Sequence, residues 1–348
     1  MSTQEQHIVF LTPMFPESEA DSVSIPALQV FLKTIRKAVP HCKMTAISFQ
    51  YPFTKKQYDW HGIDVIPLNG QTKRLKKLFV WNKALRHLKK LHKQQAITTI
   101  HSFWIGECSS IGQRFAKKHV INHVVTVMGQ DALAGNLHVK YLLDTNTKLV
   151  TLSENHRNTL QQNYQLSSEI IPWYVDTTEY PEMQKNTIDV LAVGSLIDLK
   201  NYPLCIDVVS ELVKKHPKLT VNFIGGGPNL SQLNSLIEQK ELDKHITFSG
   251  EMHREKVLEH MATANILLHT SSYESFGYVY IEALYSGMVI VSKNVGFTQN
   301  TSEWAIANTK EEMVAACNHF LTKDASKKRV LVSSEKESLT DYLKLYNG

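Results

Sequence analysis

The sequence predicts an α/β protein built from two doubly wound domains, each a parallel sheet flanked by helices. Three observations lead there. Short apolar runs rich in Val and Ile alternate with helical patterns almost throughout. A chain of 348 residues is long enough for two cores of ordinary size. The alternation is interrupted once, between Pro172 and Thr187, by a polar stretch with two prolines, and then restarts. The expected domains are 1–178, 186–322, and a C-terminal tail and helix over 323–348 that packs back on the first domain.

In the first series, His7–Leu11 reads as a buried strand, followed by a helix over Ser24–Lys37 whose apolar face is Ile25, Leu28, Phe31, Leu32 and Ile35. Strands follow at Met44–Phe49 and Asp64–Pro67. Between Lys73 and Lys93 stand nine Lys or Arg and no acidic residue, with Leu75, Leu78, Phe79, Leu85, Leu88 and Leu91 at helical spacing. This is a basic amphipathic helix or helix pair. It reads either as an ordinary solvated surface helix or as a patch for anionic lipid headgroups. Strands at Thr98–Ser102, Val124–Met128, Lys148–Leu152 and Glu169–Pro172, with helices over Ser109–Lys118 and Asn155–Tyr164, complete the first series. The second has strands at Asp189–Gly194, Thr220–Ile224, Thr247–Phe248, Ala264–Thr270 and Val289–Ser292. Its helices cover Pro203–Lys215, Leu230–Lys240, His253–Ala262 and Tyr278–Leu284, with terminal helices at Thr309–Leu321 and Leu339–Tyr346. In such domains ligands bind at the carboxyl ends of the strands, and a cleft between two of them is the expected site.

Composition narrows the function classes. No apolar run approaches the roughly 20 residues that span a bilayer, and the polar Met1–Gln6 leads straight into a strand without a secretory pattern. Cys42, Cys108, Cys205 and Cys317 form no Cys-x-x-Cys pair, which argues for a reducing compartment and against a zinc site or disulfide framework. The sixteen histidines show no metal-ligand spacing and are assigned to surface and structural positions. No nucleic-acid motif is visible. The expected location is the cytoplasm, peripheral on the inner face of the membrane.

Glu274-Ser275-Phe276-Gly277-Tyr278-Val279-Tyr280-Ile281-Glu282 carries the most chemistry. Gly277 falls at a strand-to-helix turn, where backbone N–H groups and the positive helix end make an anion site. Glu274 lies on the loop before the helix and Glu282 projects from its first turns, so a phosphate cradle is flanked by two carboxylates. A sugar nucleotide suits that arrangement, although acidic residues near a helix start also occur simply because they suit the macrodipole.

With its continuation Glu282-Ala283-Leu284-Tyr285-Ser286-Gly287-Met288-Val289, the run resembles the Glu-x7-Glu signature of retaining GT-B glycosyltransferases of family 4, with Met288 where Pro is usual. The resemblance implies a GT-B fold, two Rossmann-like domains facing a central cleft, with acceptor on the first domain and nucleotide-sugar donor on the second. It makes Glu274 the residue at the transferred sugar, Glu282 the ribose ligand, and Ser275, Phe276, Gly277 and Tyr278 part of the donor site. Gly194-Ser195-Leu196-Ile197-Asp198-Leu199-Lys200 resembles the family's Gly-Arg-Leu-x-x-x-Lys segment. Lys200 is then the diphosphate cation and the second catalytic residue, Gly194 and Ser195 line the donor, and Ser195 removes the usual Arg. Gly225-Gly226-Gly227-Pro228 looks like a family turn, and also reads as a tight turn free of side-chain clashes. Ser249-Gly250-Glu251-Met252 looks like the loop that receives the base, so Met252 joins the donor set.

In the first domain, Thr126-Val127-Met128-Gly129-Gln130-Asp131 resembles a Thr-x-His-Gly-x-Asp loop in which Met128 replaces the His. Gly129 and Asp131 are expected to face the sugar, with Asp131 reading equally as a helix N-cap. Ser18, in the acidic loop Pro16–Ser22, is the other expected cleft-facing position, that loop reading equally as a polar turn into the next helix. Trp104, at another strand end, reads either as a sugar-facing ring or as a core tryptophan.

The expected function is therefore transfer of a sugar, with retention, from a nucleotide-diphosphate sugar to a glycan or lipid-linked acceptor, in the setting of cell-envelope polysaccharide synthesis. Neither metal nor cofactor is implied, and nucleic acid is not an expected partner. Two rivals share the architecture: a sugar-nucleotide epimerase, and a sugar-nucleotide-binding subunit that has lost turnover, for which Met128 and Ser195 are the motive.

Overall fold

The computed structural model describes residues 6–73, 77–143, 145–323 and 327–347. The chain divides into two compact units, 1–173 with 335–348, and 174–334.

The first unit contains β1 (His7–Met14), α1 (Pro26–Ala38), β2 (Lys43–Tyr51), β3 (Tyr58–Trp60), β4 (Ile63–Pro67), α2 (Lys77–Gln94), β5 (Thr99–Phe103), α3 (Glu107–His119), β6 (Asn122–Thr126), β7 (Lys148–Thr151), α4 (Glu154–Tyr164) and β8 (Glu169–Ile170). Its eight strands run in the order β3-β4-β2-β1-β5-β6-β7-β8. Only the β3–β4 pair is antiparallel. That hairpin turns through His61 (φ 48) and Gly62 (φ 79), both left-handed as a two-residue hairpin turn demands. Sequence periodicity misses β3 because three residues are too few to show alternation.

Two helices differ from their expected faces. Ile25 is not on the apolar face of α1. It precedes the helix in a left-handed conformation (φ 48), with Pro26 opening the first turn. In α2 the buried stripe is Val80, Ala84, Leu88 and Leu91, at spacings of four, four and three. Leu78 and Phe79 therefore fall off that stripe and are 71% and 62% exposed. Leu75, read as apolar in the same helix, lies outside the described residues, as do Arg74 and Lys76.

The second unit contains β9 (Ile188–Val193), α5 (Tyr202–Val213), β10 (Val221–Ile224), α6 (Leu230–Gln239), β11 (Ile246–Gly250), α7 (Arg254–Thr263), β12 (Ala264–His269), α8 (Tyr278–Tyr285), β13 (Val289–Ser292), β14 (Trp304–Ile306) and α9 (Lys310–Thr322). Its sheet is parallel throughout, in the order β11-β10-β9-β12-β13-β14. Strands buried on both faces need continuous apolar runs rather than alternation, and Val190, Leu191, Ile266, Leu267, Ile290 and Val291 supply them, all without exposure. Order reverses between β9 and β12, so their carboxyl ends form the switch point where doubly wound sheets bind ligands.

The last helix, α10 (Glu335–Asn347), belongs to the first unit. Tyr342 is fully buried beside Phe31, with ring centroids 4.6 Å apart. Its hydroxyl accepts from Trp173 Nε1 at 3.3 Å and lies 3.1 Å from Thr126 Oγ1. His101 bridges Thr126 Oγ1 (2.8 Å) and the Tyr346 hydroxyl (2.7 Å). All four cysteines are buried free thiols.

Candidate functional site

The loop after β9 and the loop after β12 are bound together by backbone. Ser272 N–H donates to Leu199 O at 2.8 Å, and Thr270 Oγ1 lies 2.9 Å from the carbonyls of both Lys200 and Asn201. This clamp brings Lys200 Nζ into direct contact with Glu274 Oε1. The stem of Lys200 lies over Gly194 at ordinary contact distance, and Tyr202 donates to Gly194 O at 2.9 Å. Gly194, Lys200 and Glu274 are thus gathered at one place.

Glu274 has a second partner that sequence reasoning missed. His269, the last residue of β12, lies with Nε2 3.2 Å from Glu274 Oε1 and Nδ1 2.9 Å from the Tyr280 hydroxyl. Burial alone would raise the Glu274 carboxyl. The His269 hydrogen bond and the Lys200 charge overcome it and hold the group down at about 2. Burial in turn keeps His269 below its ordinary range, against the pull of Glu274.

Glu282 is 8% exposed and is gripped by Arg254, the first residue of α7. Burial lifts its carboxyl above the usual range while Arg254 opposes the rise. Arg254 also reaches Glu179 at 3.0 Å, and its guanidinium stands over the Tyr278 ring at 5.6 Å. Tyr278 donates to Tyr174 O at 2.8 Å. A buried carboxylate requires a cation, but the burial of Glu282 shows only in the structure, so the sequence carried no signal for Arg254.

Gly277 begins α8 at φ 78, and a Cβ there would lie 2.3 Å from the Tyr280 ring. The glycine is required both by its backbone and by the ring beside it. Gly277→Ala is expected to destabilise the chain by about 2–3 kcal/mol in urea unfolding; a loss below about 0.5 kcal/mol would show that the turn relaxes freely. Phe276 is buried against Phe297, at 5.5 Å between centroids. Ser195 is exposed, while Ser275 and Met252 are partly buried.

The glycine run after β10 has a packing cause. A Cβ on Gly225 would come within 2.0 Å of Gly194 O, and one on Gly227 within 2.5 Å of Leu196 O. Gly194 N–H donates to Ile224 O and Leu196 N–H to Gly226 O, both at 2.9 Å, so the two loops touch main chain to main chain.

In the first unit Ser18 is exposed. The carboxylates around it serve their own surroundings. Asp21 accepts from Val23 and Ser24 N–H at 3.1 and 3.0 Å, and Glu19 from His61 N–H at 2.9 Å. Asp131 ties two loops together, accepting from Ile105 N–H after β5 at 2.5 Å and from Met128 N–H in its own loop at 3.1 Å, the latter being the capping geometry that competes with the sugar-facing reading. Trp104 holds φ 65, unusual for a bulky residue, and a Cβ on Gly129 would lie 3.2 Å from its indole nitrogen. Among the described residues no group of three or more His, Cys, Asp or Glu could hold a metal ion. A cavity of about 450 Å³ lined by Gln113, Lys117, Asn122, His123 and Lys148 lies at the amino ends of β6 and β7, away from the carboxyl ends.

These buried groups make stability depend on pH. Burial pushes the His123 ring down to about 3 and His156 to about 4. An unfolded His titrates near 6.5, so each contribution is whole above that pH and is lost as pH falls toward the folded value. At pH 5 the loss is about 2 kcal/mol for each ring. Asp131, raised to about 7 by burial, acts oppositely, its contribution being lost as pH rises through 7. The urea midpoint is expected to fall between pH 7 and 5, and to fall further in Asp131→Asn. A flat midpoint in that variant would refute the buried neutral rings.

Residues 179–330 match the family described as glycosyl transferases group 1. The second unit is a group 1 glycosyltransferase domain. The chain is 26% identical over 219 residues to a phosphatidylinositol N-acetylglucosaminyltransferase chain of Homo sapiens, a match covering 61% of this chain and 41% of that protein. With the gpi3 chain of the same enzyme in Schizosaccharomyces pombe the share of the relative falls to 25%, so the chain spans well under two thirds of the curated relatives' length. The sucrose-phosphate synthase structure from Thermosynechococcus elongatus superposes with a TM-score of 0.80 at 14% identity, covering 99% of this chain and 98% of that one. Anabaena HepE, solved with UDP and glucose, gives 0.71 at 14% identity with the same coverage. These likenesses establish the GT-B fold around the group 1 domain.

Proposed function

We propose that the protein is a retaining glycosyltransferase that moves a sugar from a nucleoside-diphosphate sugar to a hydroxyl of a glycan or lipid-linked acceptor, without a metal. The observation that carries this reading is the contact of Lys200 with Glu274 at the switch point of a group 1 domain. Lys200 and the amide groups around Phe276 and Gly277 neutralise the diphosphate as it leaves. Glu282, steadied by Arg254, accepts hydrogen bonds from ribose hydroxyls. Glu274 stays ionised at neutral pH, and so accepts from hydroxyls of the transferred sugar and stabilises positive charge at its reacting carbon. HepE, described with UDP and glucose, supports a uridine nucleotide as the first donor to try.

The acceptor is assigned to cell-envelope assembly with support from α2, which presents Leu78 and Phe79 to solvent beside Arg86, Lys89 and Lys90. That face suits an anionic membrane surface. Among the described residues no helix is long and apolar enough to cross a membrane.

A thermal-shift screen of UDP-, GDP- and ADP-sugars, followed by donor-hydrolysis assays with and without EDTA, tests the reading. One nucleotide sugar is expected to raise the melting midpoint and to be hydrolysed at a rate that EDTA leaves unchanged. Chelator-sensitive turnover, or no response to any nucleotide sugar, would overturn it.

A further inference from the structure

The donor reading gives Lys200 two tasks, since its ammonium touches Glu274 and is also assigned to the diphosphate. A cation shared in that way cannot by itself fix where the carboxylate sits. His269 supplies a hold that does not compete with the donor. We propose that His269, oriented by Tyr280, is the positioning residue that fixes the Glu274 carboxylate against the transferred sugar. The proposal rests on the role given to Glu274 above.

The hydrogen bonds determine the tautomer. A carboxylate only accepts, so His269 Nε2, 3.2 Å from Glu274 Oε1, carries the proton. Nδ1 is then an acceptor, and the Tyr280 hydroxyl 2.9 Å away donates to it. The Ser271 hydroxyl, 3.3 Å from Nε2, is the other polar neighbour on that nitrogen. Tyr280 has no freedom to turn away. It is fully buried, its ring lies 4.8 Å from that of Trp304, and Trp304 is tied by its indole N–H to Ser292 Oγ at 2.8 Å. The Tyr280 ring also meets the His269 ring edge-on at 4.7 Å, and the bare backbone of Gly277 admits it. A packed column thus runs from β13 and β14 through α8 to the end of β12 and finishes on Glu274. Preorganised support of this kind is what a reacting group needs when a misplacement of an ångström is costly.

Position 269 offers a discriminating substitution set. Gln reaches as far as Nε2 and keeps a donor for Glu274, Asn reaches only as far as Nδ1, and Leu keeps neither. His269→Gln is expected to hold kcat within about fivefold, whereas His269→Asn and His269→Leu lose about thirtyfold or more, with donor KM changed by less than about threefold. Tyr280→Phe is expected to lower kcat about tenfold by freeing the ring. Equal kcat in the Gln and Leu variants, per folded enzyme, would overturn the proposal and leave His269 a packing residue. Should the variants fold poorly, long-range ¹H–¹⁵N spectra of the unaltered protein decide: a proton on Nε2 between pH 6 and 8 is expected, and one on Nδ1 refutes the arrangement. The two readings fail differently. Full turnover by Glu274→Gln removes the role of Glu274 itself, while an inactive Glu274→Gln beside a fully active His269→Leu removes only the positioning role.

Discussion

Glu274→Gln is expected to lower sugar transfer by about a thousandfold while leaving nucleoside-diphosphate affinity within about threefold. The substitution keeps an oxygen where Lys200 and His269 converge, so both donors retain an acceptor and the loop keeps its path. What disappears is the negative charge, which the His269 hydrogen bond and the Lys200 charge maintain against the upward pull of burial. If Glu274 acts on charge developing in the transition state, the loss falls on kcat rather than on binding. Steady-state kinetics with the donor found by screening, alongside calorimetric titration of the nucleotide, separate the two. A variant that turns over at the native rate would exclude Glu274 from the chemistry.

The second large effect is expected at Arg254. Arg254→Met removes the cation from between Glu282 and Glu179, leaving Glu282 buried without its partner. Breaking a buried pair from one side costs about 3–5 kcal/mol, because the remaining charge must be neutralised or exposed. Urea unfolding is expected to show a loss of that order. Adding Glu282→Gln should recover part of it, since a neutral amide is cheaper to bury than an orphaned carboxylate. Nucleotide affinity should fall in the single variant as well, because Glu282 loses the group that orients it. Native stability in Arg254→Met would mean that the pair contributes nothing to the fold.

The fold was legible because strands buried on both faces read as continuous apolar runs, as at Leu267–Leu268 and Ile290–Val291, and because helix stripes repeat. β3 and β14 escaped because three-residue strands are defined by their neighbours' hydrogen bonds rather than by their own composition. The structure places Glu274 on the loop before α8, Glu282 on α8 and Lys200 on the loop after β9, and all three were singled out through their resemblance to family motifs. Arg254 and His269 were not. Arg254 meets Glu282 from 28 positions upstream, and His269 closes a strand whose apolar run makes it look like filler. Both are known only by what surrounds them in three dimensions. Asp131 was legible in one of its two readings: the capping alternative is the one its two backbone amide partners support.

The return of α10 to the first unit has a consequence for synthesis. Tyr342 and Tyr346 complete a hydrogen-bonded core begun by His101 and Thr126, more than two hundred residues earlier. On the ribosome the second unit is therefore a continuous segment that emerges whole before α10, whereas the first keeps its aromatic seam open until α10 has followed. The amino-terminal half is translated first and finished last.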